Sequence, residues 1–211
     1  MMKASAPDEV CELYEASADW YSEMMDSEID LPLYSDTLGR LHHKIEKMQG
    51  TLIDTACGSG HMLKMYHDRY DKNRSLLGID LSPRMVAIAS DRLGSSAQFQ
   101  AADMRDLNSI EDGSAVAVIN FFALHHLDSE DAYRALCEWN RVLQPNGQLV
   151  IATWEGAGAI DYGDESDIVA LRYRADEIVS LVDKAGFNIT RSDVEPVEGF
   201  SMDAIYLEGT K

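Results

Sequence analysis

Apolar positions in the first fifty residues fall at helical spacing. Val10, Leu13, Tyr14, Ser17, Trp20, Tyr21, Met24 and Met25 recur at three- and four-residue steps, which predicts a helix with one face suited to packing. Asp30-Leu31-Pro32 interrupts the pattern, and it resumes from Leu33 to Met48 before Gln49-Gly50 stops it. From Thr51 the texture changes to short apolar runs alternating with amphipathic segments. Strands are predicted at Thr51–Ala56, Ser75–Asp80, Ala97–Ala101, Ala115–Phe121 and Gln148–Thr153. Helices are predicted from Gly60 to about Tyr70, from Ser82-Pro83 onward with a hydroxyl cap and a first-turn proline, and from a Ser129 cap to Leu143.

Strands alternating with helices at this spacing imply βαβ units and a parallel, doubly wound α/β sheet. The end of the chain differs. A loop rich in glycine and acid, Glu155 to Asp167, precedes a helix from Ala175 to Ala185. Two last strands, near Asn188–Val194 and Asp203–Glu208, have no helix between them, so they form an antiparallel hairpin. Seven strands in all are expected.

A chain of 211 residues suits one domain, and its 45% hydrophobic content suits an ordinary globular core. No run of about 18 apolar residues is present, so a membrane-spanning helix is not expected. The start lacks the apolar stretch of a secretory signal, and Cys11, Cys57 and Cys137 are too scattered for a disulfide framework or a zinc site. A reduced, cytoplasmic protein without a metal is the expectation. Charge changes the picture more: 18 basic against 37 acidic residues give a net −19, interspersed along the chain as a solvated surface. A field of that sign repels phosphate backbones and anionic membranes, which weighs against a nucleic-acid partner.

Ligands of open α/β sheets bind beyond the carboxyl ends of the strands, and three features fall there. In Asp54-Thr55-Ala56-Cys57-Gly58-Ser59-Gly60, two glycines let the backbone turn sharply and approach a ligand closely. The dinucleotide fingerprint wants a further glycine where Leu63 stands, and the phosphate-loop Gly-Lys-Ser/Thr ending is absent. Asp80 ends the second strand, where a carboxylate can accept from both hydroxyls of a ribose. Asp103-Met104 follows the third, where a carboxylate can accept from an adenine amine while the next backbone N–H donates to the ring. Each acid alone is commonly a strand-end cap; the three together, at successive strand ends, form a pattern.

With these residues the chain resembles a class I S-adenosylmethionine-dependent methyltransferase of the small, single-domain kind, from about Leu13 onward. Leu52–Gly60 is similar to the family's first motif, with Ala56 where glycine is more usual, and Gly78-Ile79-Asp80-Leu81-Ser82 to its second. Ala102-Asp103-Met104 looks like its adenine-binding turn, Ala117–Leu127 like its fourth-strand motif with Leu-His-His, and Arg141–Gly147 like the turn before its fifth strand. The opening Leu13–Tyr21 is similar to that of many small-molecule methyltransferases, with Glu15 where aspartate is commoner. The resemblance implies a Rossmann-like fold in which residues 1–50 form a helical lid on a cofactor-binding domain of residues 51–211. It also implies S-adenosyl-L-methionine as cofactor, with S-adenosyl-L-homocysteine as product. Ala56, Cys57, Gly58 and Gly60 would line the methionine and ribose parts, with Asp54 beneath; Asp80 would hold the ribose, Leu81 face the adenine, and Asp103 and Met104 read its edge. Asn120 and Phe121 would lie near the sulfonium, and Tyr14 and Tyr21 would reach the cofactor from the lid.

The conspicuous side chains admit plainer roles. Tyr14, Trp20 and Tyr21 could be the packed face of a helix, although a sulfonium favours aromatic faces. Of His125-His126, one could start a helix and the other pack, but His125, with Tyr21, is the catalytic candidate if the acceptor needs a base. Cys57 suits a packing role, the ten methionines suit core gaps, and His42-His43 a solvated helix face. Trp154, Glu155, Tyr162, Asp164, Glu165 and Asp167 make the acceptor-facing region. The expected reaction is in-line displacement of a methyl group onto an N, O or S atom of a small-molecule acceptor, by a monomer or homodimer. A protein or RNA acceptor, or a sensor that binds the cofactor without turnover, remains an alternative.

Overall fold

The computed structural model describes residues 2–160, 167–197 and 199–211. Two helices, α1 (Pro7–Glu28) and α2 (Pro32–Ile45), precede the alternating part of the chain. That part runs β1 (Thr51–Asp54), α3 (His61–Arg69), β2 (Leu76–Asp80), α4 (Pro83–Leu93), β3 (Gln98–Ala101), β4 (Ala115–Phe121), α5 (Ser129–Val142) and β5 (Leu143–Trp154). It ends with α6 (Ala175–Lys184), β6 (Asn188–Pro196) and β7 (Asp203–Thr210). The strands form one sheet in the order β3-β2-β1-β4-β5-β7-β6, parallel except for β7, which is antiparallel to both neighbours. The seven-stranded, mostly parallel sheet with its antiparallel C-terminal pair agrees with the sequence pattern.

The burial of each strand follows its place. Every residue of β4 is buried, as a central strand with helices on both faces requires. Along β5 and β7 alternate side chains enter opposite layers. Val150, Ala152, Ala204 and Tyr206 join α2, α3 and α4 on one face; Leu149, Ile151, Ile205 and Leu207 join α5 and α6 on the other. The edge strand β6 is largely exposed and carries the ion-paired series Arg191, Asp193 and Glu195, which blunts it against pairing with another chain. Chain order reverses across β1 and β4, with β2 and β3 to one side and β5 onward to the other. The crevice opens at their carboxyl ends.

Several sequence boundaries are corrected. Helix α2 stops at Ile45 and not at Met48, because the buried Arg74 guanidinium donates to the carbonyls of Ile45 (3.0 Å), Met48 (2.7 Å) and Gly50 (3.2 Å) and holds that stretch in a turn. Asp128, not Ser129, caps α5, accepting from Glu130 N–H (3.0 Å) and Asp131 N–H (3.1 Å). β5 begins at Leu143, with Asn146 at φ 65° in its turn, and β6 and β7 each run two residues further than expected. His42 is not solvated: it packs among Tyr66 and Tyr70, with Nδ1 3.3 Å from the Tyr66 hydroxyl. Trp20 is no part of a packed face, being 65% exposed.

One close approach positions the site. A Cβ on Gly78 would lie 2.5 Å from the Phe99 ring and 2.9 Å from Cys57 Sγ, so β2 meets β3 and the loop after β1 only without a side chain there. Gly78→Ala is expected to lower stability by about 1–3 kcal/mol, read as a reduced midpoint in urea at unchanged slope.

Candidate cofactor and acceptor site

The loop after β1 is shaped by two left-handed glycines, Gly58 at φ 49° and Gly60 at φ 85°. Gly60 also presses on α4, since a Cβ there would meet Ala89 Cβ at 3.0 Å. The Asp80 carboxylate fixes the loop from β2: one oxygen accepts from Gly58 N–H at 2.8 Å and the other from Ser82 N–H at 2.9 Å. Burial pushes Asp80 above its usual range against the pull of those N–H groups. Asp54, 1% exposed, accepts from Ala56 N–H at 3.3 Å, and burial pushes its carboxyl up to about 7.

Two adjoining cavities open at this loop. The first is lined by Thr55, Ala56 and Gly58 after β1, Asp80 and Leu81 after β2, Ala102, Asp103 and Met104 after β3, and Phe121 after β4. The chain before and within α1 closes it, through Ser5, Val10, Tyr14 and Tyr21. Its wall therefore offers a carboxylate at one strand end and, beside it, an apolar slot of Leu81, Met85, Ala102 and Met104. The second cavity, about 480 Å³, shares Tyr14, Tyr21, Ala56, Phe121 and Phe122 with the first. It extends past Asp54, Cys57 and His125 to Trp154 and Phe200.

The sequence-predicted residues divide accordingly. Tyr14, Tyr21, Ala56, Gly58, Asp80, Leu81, Asp103, Met104 and Phe121 line the first cavity, while Asp54, Cys57 and His125 line the second. Gly60 and Asn120 line neither. Gly60 is the N-cap position of α3, and Asn120 is fully buried behind the wall, donating to Thr55 Oγ1 at 3.1 Å; both shape the loop from behind. Asp103 is not a bare carboxylate. Burial raises it, but the Arg105 side chain (3.0 and 2.6 Å) and the Arg105 N–H (2.9 Å) bring it below its usual range. Of the acceptor-facing series, Trp154 lines the second cavity, and Tyr162, Asp164 and Glu165 lie outside the described residues.

The two histidines sit on a short 3-10 turn, Leu124–His126, with ring centroids 4.2 Å apart. His126 Nε2 lies 2.8 Å from the Tyr14 hydroxyl, and burial lowers its pKa to about 4. His125, also buried, is pushed well below its usual value by burial and then by His126, so both rings are neutral at neutral pH. Burial holds the Tyr21 phenol protonated, which makes it a donor and not a base. Just before the turn, Phe122 takes a left-handed φ of 50°, and its ring packs tilted against Trp154 with centroids 4.6 Å apart.

Sequence reasoning missed how α1 is held. Glu15 accepts from Ser82 Oγ (2.6 Å) and Arg84 N–H (2.7 Å), and Arg84 pairs with Asp19 (2.9 Å). Near its end, Asp26 pairs with Arg92 (2.9 Å) and with His61 Nε2 (2.7 Å), while Arg92 also donates to the Ser59 carbonyl (2.8 Å) of the glycine loop. The only signal in the sequence was the acidic run on the far side of the apolar stripe. Ala4, Ser5 and Pro7, which also line the first cavity, lie before any periodic segment.

Residues 53–151 match the model of the family described as "Methyltransferase domain". A probable tRNA methyltransferase 9B from Bos taurus is 29% identical over 148 residues, 69% of this chain; the chain spans only 29% of that protein's length. Two solved structures are laid out alike over the whole chain. The [4+2]-cyclase SpnF superposes with a TM-score of 0.77 at 17% identity, covering 100% of this chain and 98% of that one. The 1,6-didemethyltoxoflavin-N1-methyltransferase of Burkholderia thailandensis, solved with its substrate and S-adenosylhomocysteine, gives 0.76 at 18%, covering 100% and 92%.

Two predictions follow from this geometry. Arg92→Ala removes the tether between α1 and the glycine loop, so amide exchange in residues 15–28 should quicken by about tenfold or more while β4 stays protected. Asp54, raised to about 7 from its ordinary 3.8, binds more protons folded than unfolded between those values. It therefore lowers stability as pH rises from about 4 to about 7, and Asp54→Asn should flatten that part of a stability–pH curve. The match over residues 53–151 and the shared layout of the sheet agree: this stretch of the chain resembles a methyltransferase domain, on the fold of the two solved structures.

Proposed function

We propose that the protein transfers a methyl group from S-adenosylmethionine to a small-molecule acceptor. The observation that carries this reading is the pair of adjoining cavities: one with the carboxylate and apolar slot that a nucleoside needs, the other sharing with it the wall of Tyr14, Tyr21, Ala56, Phe121 and Phe122. The residues fit the cofactor. Asp80 keeps lone pairs beyond those facing Gly58 and Ser82 for a ribose diol. Leu81, Met85 and Met104 suit a purine, and Asp103, held ionised by Arg105, suits its amine. Asp54 and the loop from Ala56 to Gly58 suit an aminoacid arm. When bound, the cofactor supplies an electrophilic methyl group on a sulfonium.

The chain's own contribution is alignment and dryness. α1 and the Phe121-Phe122 segment wall off both cavities, so that reacting atoms can be held about 3–3.5 Å apart with water excluded. Tyr14 and Tyr21, with ring centroids 6.0 Å apart, present aromatic surface that suits a cation. His125 is a neutral imidazole on the wall of the second cavity, and its Nδ1 has no hydrogen-bond partner among the described residues. It serves as the proton acceptor for a hydroxyl or ammonium nucleophile.

A tRNA acceptor is favoured by the named relative. Against it stands the net charge of −19. Calorimetric titration with S-adenosylmethionine should give binding in about the micromolar range, weakened about 10–100-fold in Asp80→Ala, the cost of leaving two hydroxyls without a charged acceptor. No heat from the folded wild type would sink the reading. With an acceptor in hand, His125→Gln should lower kcat by about 10²–10⁴-fold and remove the acid limb of the pH profile.

A further inference from the structure

The second cavity, of about 480 Å³, has predominantly apolar walls. Beyond the glycine loop it is lined by Leu13, Met24, Met25, Leu31, Tyr34 and Met62, then by Phe122, Trp154 and Val197. An aromatic run leads outward from the shared wall: the Phe122 and Trp154 rings pack tilted with centroids 4.6 Å apart, and Trp154 and Phe200 likewise at 5.1 Å. At its rim Phe200 is 43% exposed and Trp20 is 65% exposed. These two are among the few large hydrophobic side chains exposed among the described residues, and both belong to this one cavity.

The ionisable groups are as informative as the apolar ones. Glu28, Asp54, His61 and His125 line the cavity, and among the described lining residues there is no lysine or arginine. Arg92, beside the glycine loop, is already engaged by Asp26, Ser22 and the Ser59 carbonyl. An acceptor carrying phosphate or carboxylate would bring a charge into a largely apolar enclosure with two carboxyl groups and no cation to meet it, which is costly. An uncharged acceptor meets no such penalty and gains from every wall.

We infer that the methyl acceptor is an uncharged, predominantly apolar small molecule, aromatic or polycyclic in character and free of phosphate, with its bulk between Trp154, Phe200 and α1 and its nucleophile toward Tyr21 and His125. This inference rests on the methyltransferase reading above for the acceptor role, but not for the chemistry of the cavity. Tyr34 and Phe121 meet edge to face at 6.0 Å beside the wall shared with the first cavity, and Trp20 and Phe200 stand at the exposed rim.

The test uses two fluorescent probes that differ in one group: neutral N-phenyl-1-naphthylamine and its sulfonate, 8-anilinonaphthalene-1-sulfonate. Each is titrated into the full chain saturated with S-adenosylhomocysteine. The neutral probe should bind at least about tenfold more tightly than the sulfonate, and Trp20→Ala/Phe200→Ala should weaken it by about tenfold or more, as loss of aromatic wall predicts. Both rim positions are exposed, so the double variant should fold and still bind S-adenosylhomocysteine. Met24→Arg, which supplies the missing cation, should reverse the preference between probes. Equal or tighter binding of the sulfonate by wild type would overturn the inference, as would rim variants that leave the neutral probe unaffected. Turnover is compared on 2-naphthol and 2-naphthyl phosphate with labelled cofactor, and methylation of the phosphate ester but not of the naphthol would also overturn it. Should S-adenosylhomocysteine fail to bind while the neutral probe still binds and responds to the variants, the cofactor reading falls and the apolar cavity stands.

Discussion

The Asp80 carboxylate joins the parts on which this site depends. Its two oxygens take the N–H groups of Gly58 and Ser82, so a single side chain fixes the loop after β1 against the turn that starts α4. A carboxylate meeting two backbone donors at a buried strand end is a charge-assisted contact, stronger than a neutral hydrogen bond. It holds Gly58 in the left-handed conformation that Tyr21 covers, with Tyr21 Cε1 3.1 Å from where a Cβ would stand. The glycine loop, the ribose-side acid and the helix above them are thus one mechanical unit.

Around that unit the protein uses two kinds of contact for two purposes. The sheet and its flanking helices are held by apolar layers that exclude water almost completely: Trp139, Leu136 and Ile178 on one face, Leu38, Leu41 and Tyr66 on the other. α1 combines both. Leu13, Tyr14, Tyr21 and Met24 face the cavities and Ala18 and Met25 are buried against the core, while Glu15, Asp19 and Asp26 reach Ser82, Arg84, Arg92 and His61. Part-exposed polar contacts of this kind contribute modestly and reversibly, unlike buried apolar surface. A helix that closes a ligand cavity is well served by such attachments, because they break and reform at small cost.

Electrostatics separates the two cavities. Asp80 and Asp103 give the first an acidic wall softened by Arg105, fitting the polar groups of a nucleoside. The second has carboxyl groups pushed toward neutrality by burial, Glu28 and Asp54, and a histidine pushed the same way. A region whose burial shifts its own titratable groups toward their neutral forms also disfavours a charged guest. The surface charge of −19 and the apolar interior of the acceptor cavity are therefore separate facts about the molecule: one acts on partners approaching from solution, the other on what fits inside.

Much of this was legible in the chain itself. The alternation of apolar runs with amphipathic segments depends on local periodicity, so the seven strands and their mostly parallel order could be read directly. Asp54, Gly58, Asp80 and Asp103 could be read because strand ends of an α/β sheet converge on one crevice, whatever else the fold does. Boundaries set by distant groups could not. The end of α2 is decided by Arg74, and the cap of α5 by which of two adjacent residues reaches the free N–H groups. Asn120, expected near the sulfonium, is buried at the end of β4 and donates to Thr55 Oγ1, a contact that no periodicity in the sequence shows. The second cavity was hidden for the same reason. Met24, Tyr34, Met62, Trp154 and Phe200 come from five separate stretches, each with an ordinary apolar pattern, and only the packing of α1 and α2 over the sheet leaves them facing one another. Periodicity fixes which residues avoid water; the tertiary arrangement alone decides which of those apolar faces pack on protein and which are left to enclose a ligand.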